Sequence, residues 1–319
     1  MGDNHSLIPL SERSPLYQLF ISLLVILGVG LLLFTVSLLA GKLIFHSDLG
    51  VLENPSTAVG GNDIAFLKYV LISQDISLFI VPAIIILFIL KPHDQSGLMV
   101  MKIPPINEVV LVIVLAFCIF PITSFTGQLN SGMHLPDWLS GVEDWMTEKE
   151  ENTNRLIDLC MASDTFWVMI LNVFVVAVMP AIGEELIFRG VIQKVFSNLF
   201  RSGHLAIWVT AFVFSTIHFQ FYGFVPRFIL GLIFGYLFFW SGRLWLPIIT
   251  HFVNNAVPTI GAYITGMEKF NTSSEIPLWR QLILLPLPLV ISLVILLYFR
   301  NKSKLDGGKI IDHAPLTNN

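Results

Sequence analysis

Eight apolar runs, most of them near the length needed to cross a bilayer, constrain this chain more than any other feature. They fall at about 17–45, 68–90, 107–127, 165–187, 204–221, 226–241, 244–264 and 277–299. A hydrocarbon core about 30 Å thick takes roughly 20 apolar residues per helix. Only the sixth run is short, and the fourth continues into a more polar stretch. In lipid every backbone polar group must be satisfied internally, and period-2 alternation is absent, so the runs predict helices rather than a barrel. Composition agrees. Soluble domains carry about 25% charged residues, whereas this chain has 13% charged and 55% hydrophobic residues. The expected fold is an all-α, polytopic membrane protein with about eight transmembrane helices, forming one membrane domain.

Charge narrows the partners and the topology. The net charge of -4 is small and spread along the loops, which suggests no nucleic-acid partner and leaves the bilayer as the medium. Two cysteines, Cys118 and Cys160, cannot build a disulfide framework, and Cys118 reads as a small core residue. The N-terminus lacks a basic region and precedes an apolar run too long for a signal peptide, so it reads as a retained tail. "MGDNHS" and "NTS" at 271–273 fit acylation and glycosylation patterns short enough to arise by chance. Lys91, Lys102, Lys194, Arg201, Arg243, Arg300, Lys302, Lys304 and Lys309 all fall on one side if both termini are cytoplasmic. The expectation is therefore a multi-pass protein of the cell membrane, with the polar 129–164 loop on the opposite side.

Ionisable residues at membrane depth are costly and mark function by default. In "GEELIFRG", Glu185 and Arg189 are four apart, acid first, the favourable order for a pair on one helix face. That leaves Glu184 free for chemistry. "FSTIH" places Phe214 and His218 on one face, and "HFVNN" does the same for His251 and Asn255, with Asn254 close by. Asp75 reads as the point where the second helix enters the interface. A hairpin turning at 201–204 puts Glu184 17 residues before Arg201 and His218 17 after it. At 1.5 Å per residue both lie about 25 Å from the tip and can face each other. A similar count through the short sixth helix brings His251 to a comparable depth.

A carboxylate with two imidazoles in a dry pocket suits hydrolysis. Glu184 can act as general base on a water held by His218, with His251 and Asn255 as donors to an oxyanion. Equally, Glu184, His218 and His251 can form a two-His, one-carboxylate site for a divalent metal such as Zn with an open water position. The residues do not choose between the two, and no other cofactor is indicated. There is no HExxH, no glycine-flanked serine nucleophile and no GxGD acid pair within a helix.

EExxxR at 184–189, FxxxH at 214–218 and HxxxN at 251–255, in this order, resemble the CAAX prenyl protease and bacteriocin-processing (CPBP, or Abi) family. The resemblance covers about residues 163–263. It implies an eight-helix membrane endopeptidase with a catalytic core in helices four to seven. Residues 1–162 would then supply a tail, three helices and the polar loop, and residues 264–319 the last helix and a polar tail. By motif, Glu184 would activate water with His218, Glu185 and Arg189 would support the site, and His251 and Asn255 would stabilise the oxyanion. The substrate would be a protein or peptide, lipidated in the founding members. The family was first described as metalloproteases, with a metal-free mechanism as the competing view. Two other readings stand beside an enzyme: a catalytically idle scaffold or immunity protein, and a proton-coupled transporter using Asp75 in its relay.

Overall fold

The computed structural model describes residues 13–58, 60–89, 102–162, 165–266 and 276–305. The acylation and glycosylation patterns, Lys91 and Lys309 lie outside the described residues. No strand occurs among the described residues. The long helices are α1 (Pro15–Phe45), α2 (Gly61–Ile89), α3 (Ile106–Ser131), α4 (Ser140–Met161), α5 (Phe166–Phe200), α6 (Gly203–Thr216), α7 (Phe224–Ser241) and α8 (Trp245–Thr265). A bent pair, α9 (Leu278–Leu284) and α10 (Pro286–Leu305), follows, its two parts meeting at 44° around Leu285.

Each apolar run coincides with a helix, but length and composition alone do not confirm eight spans among the described residues. Among the described residues five helices qualify, α1, α2, α3, α5 and α7, and a sixth if α9 and α10 count as one. Helix α6 has 14 residues, about 21 Å of helix against a core of about 30 Å. Helix α8 has 21 residues but carries His251, Asn254 and Asn255 and falls short in hydropathy. The bundle fits a multi-pass membrane protein. Its outer surface agrees, with Leu16, Phe20, Leu24 and Leu27 of α1 and Leu287, Val290 and Val294 of α10 all exposed.

Local chemistry explains where the site-bearing helices begin and end. Thr165 caps α5 by accepting from the Val168 N–H, and Ser202 caps α6 through the Leu205 N–H. Arg201, in the left-handed region at φ 51°, turns the chain between them. Helix α5 contains two π-helical stretches, Phe174–Val178 and Leu186–Ile192, and α2 contains another at Asp75–Ile80. Such widened turns concentrate at functional sites, and these flank the carboxylates. Helix α6 ends at Thr216, so His218 lies in the turn that follows, not deep inside a helix as the sequence suggested. Phe219 at φ 51° and Gly223 break the helix there.

Two further differences bear on the site. Helix α2 starts at Gly61, so Asp75 is buried in mid-helix and does not mark an entry into the interface. The segment expected as a polar loop holds α4, whose Leu156, Leu159 and Cys160 pack into a cluster with Phe66, Leu67 and Val70 of α2. At the far end of α3, the buried Glu108 binds both Arg243 and Lys302, tying the α7–α8 turn and α10 to one carboxylate.

Candidate active site

The three motifs converge on the buried Glu185–Arg189 pair. The Arg189 guanidinium is fully buried and donates from Nη1 to Glu185 Oε1 at 2.8 Å and from Nη2 to the Gly231 carbonyl at 3.1 Å. It lies over the rings of Phe214 and Phe234, at 4.9 and 5.3 Å from their centroids. A charge this deep needs a pair, hydrogen bonds and aromatic faces to offset lost hydration. The close approach depends on glycine: a Cβ at Gly231 would sit 2.9 Å from Ala211 Cβ and 3.0 Å from Ala211 Cα. One turn along both helices, Gln193 Nε2 repeats the pattern by donating to the Gly235 carbonyl.

The adjacent glutamates have different surroundings. Glu185 is fully buried, and its Oε1 also meets His251 Nδ1 at 3.0 Å. Glu184 keeps 12% of its side chain exposed and has no hydrogen bond among the described residues. Its Oε2 lies 3.9 Å from His251 Nε2, and its charge also acts on His218, Arg189 and Asp75. Sequence reasoning undervalued Asp75. The available signal was an acid in an apolar run, and the start of α2 was placed too late to show how deep it sits.

Hydrogen bonding fixes the tautomers of both imidazoles. His218 Nδ1 lies 2.7 Å from the Phe214 carbonyl, which can only accept, so Nδ1 carries the proton and Nε2 is free to accept. His251 Nδ1 faces a carboxylate, so its Nε2 accepts when the ring is neutral and donates only from imidazolium. Phe214 packs edge-on against both rings, at 5.1 Å from His218 and 6.4 Å from His251, and Phe234 stacks on His251 at 5.1 Å. Asn255 Nδ2 donates to the Val176 carbonyl in a widened turn of α5 at 3.2 Å, leaving one amide N–H. Beside the site, between α5 and α8, lies an apolar cavity of about 210 Å³ walled by Ile182, Ile248 and Phe252 among others.

The metal arrangement does not fit. Among the described residues no three His, Cys, Asp or Glu side chains gather as a metal-binding group, Glu184, His218 and His251 included. Cys118 and Cys160 are both free and buried. Burial pushes the Cys160 thiol up to about 11, partly countered by the Lys68 charge, so it is no nucleophile.

Residues 165–257 match the family of type II CAAX prenyl endopeptidases described as Rce1-like. The uncharacterized protein YpbD of Bacillus subtilis (strain 168) is 26% identical over 90 residues, 27% of this chain and 43% of that protein. The chain thus spans less than half the length of this relative. No solved structure matches the chain. The match supports a function of the intramembrane-protease type, and the matched segment contains every residue of the Arg189 cluster. Residues 165–257 are thus the part of the chain that is similar to the Rce1-like family.

Proposed function

We propose that this protein is an intramembrane endopeptidase in which Glu184 activates the attacking water. The observation that carries the reading is the unequal pair of adjacent carboxylates. Glu185 is sealed between Arg189 and His251, while Glu184 is unbonded, partly exposed and next to the free nitrogen of an imidazole. A water held by His218 Nε2 gives its proton to Glu184 as its oxygen attacks the peptide carbonyl. His251 Nε2, a donor when the ring is imidazolium, and the second amide N–H of Asn255 then donate to the oxyanion. Glu184 returns the proton to the leaving amine as the C–N bond breaks. The apolar cavity between α5 and α8 suits an apolar side chain of the peptide.

The test compares protein termini in cells expressing wild type or Glu184→Gln at matched levels. Termini that depend on Glu184 are expected, with a rate loss of about 10²–10⁴ for removal of a general base. Identical termini under several growth conditions would sink the reading. The buried Asp75 beside Glu184 is the observation that favours a proton-coupled carrier. That rival requires proton uptake by proteoliposomes that Asp75→Asn removes.

A further inference from the structure

Arg227, in the first turn of α7, belongs to none of the motifs, yet its charge acts on Glu184, His218 and Glu150 of α4. Despite two nearby acids it forms no ion pair among the described residues. Its Nη2 donates to the buried Gln220 Oε1, and its Nη1 is buried with no hydrogen-bond partner. A charged donor left in this way is costly, and native proteins rarely tolerate one without a use. Its place is also specific. The guanidinium lies directly over Gly223, where a Cβ would sit 1.9 Å from Nη1. The Val225 and Arg227 amides at this helix end are already bonded, to Asn130 Oδ1 and the Gly223 carbonyl. The side chain is therefore the available donor, and the helix end adds only its positive field.

We propose that Arg227 is a specificity-determining residue that receives a carboxylate of the substrate beside the scissile bond. This rests on the protease reading, under which the substrate is a peptide. The carboxylate is then either the chain terminus or an Asp or Glu side chain. A planar guanidinium with a free N–H edge matches that group in charge and geometry.

The experiment uses the full chain in nanodiscs, in the Glu184→Gln background so that nothing turns over. The probes are fluorescent apolar hexapeptides, each made as free acid and as C-terminal amide, and each with Asp or Asn third from the end. Anisotropy reads binding. One carboxylate form is expected to bind about tenfold tighter or more than its neutral counterpart. Arg227→Gln should abolish that preference, and Arg227→Lys should restore part of it. Gly223→Ala should weaken it, because the guanidinium is displaced while the charge is kept. Equal binding of acid and neutral peptides, no binding of any, or a preference that survives Arg227→Gln would overturn the proposal. Equal weakening of acid and amide forms by Arg227→Gln would overturn it too. Cleavage by wild type is scored separately. Arg227-dependent binding with no cleavage would remove the protease reading and leave the carboxylate site.

Discussion

Replacing Arg189 with lysine should cost most of what Arg189 contributes to holding the helices together, even though the charge is kept. The pair with Glu185 lies within α5 and spans four residues, so it persists when helices separate in the membrane. What separation breaks are three contacts to other helices: the bond to the Gly231 carbonyl on α7, and the faces of Phe214 on α6 and Phe234 on α7. Polar contacts between membrane helices average about 0.6 and reach about 1.7 kcal/mol, so three amount to about 2–5 kcal/mol. A lysine can hold Glu185 but cannot fork to Gly231 or lie flat between two rings. The assay is SDS titration in mixed micelles followed by tryptophan fluorescence. A cycle with Phe234→Leu should give a coupling of about 0.5 kcal/mol or more. If Arg189→Lys unfolds within about 0.5 kcal/mol of wild type, the interhelical account of this residue is wrong.

Three further outcomes are expected. Gly231→Ala should destabilise by about 1–3 kcal/mol through overpacking, and Ala211→Gly in the same chain should recover only part of the loss in the same titration, because the approach to the Ala211 backbone remains. Glu108→Gln leaves Arg243 and Lys302 facing each other without their anion, so proteolysis of α10 should speed up at unchanged cleavage elsewhere. Glu143 on α4 is held below the ordinary glutamate range, chiefly by the His134 ring, with help from the Leu135 N–H. Its depressed value means a contribution to stability that is present above the ordinary range and lost as pH falls through the lowered one. Acid should therefore loosen residues 133–161 toward protease, and Glu143→Gln should show the loosened state at neutral pH.

The helical class and the Glu185–Arg189 pair were legible in the sequence because each rests on local signals. Apolar length gives the helices, and i,i+4 spacing gives the Glu185–Arg189 pair. The position of His218 outside a helix was not legible, since it depends on a left-handed Phe219 that no residue-type rule anticipates. Asp75 was misplaced because the polar start of α2, from Gly61 to Asp63, hides a helix that begins well before its apolar run. Helix α4 was hidden for the opposite reason. Its apolar residues are diluted by "EKEEN", and its docking relies on bonds that Glu143 and Glu150 accept from the Tyr222 hydroxyl and amide, which only the fold creates. The engagement of His251 by Glu185 joins residues 66 positions apart, beyond any spacing argument.

The shortfall in hydropathy of α8 has a consequence for how the protein is made. A segment carrying His251, Asn254 and Asn255 is a poor candidate for partitioning into lipid on its own as it leaves the ribosome. Its polar side chains find partners on α5, at Glu185 and the Val176 carbonyl. Helix α5 is synthesised first. Insertion of α8 then depends on a waiting template, and assembly of the site and acquisition of topology become one event during biogenesis.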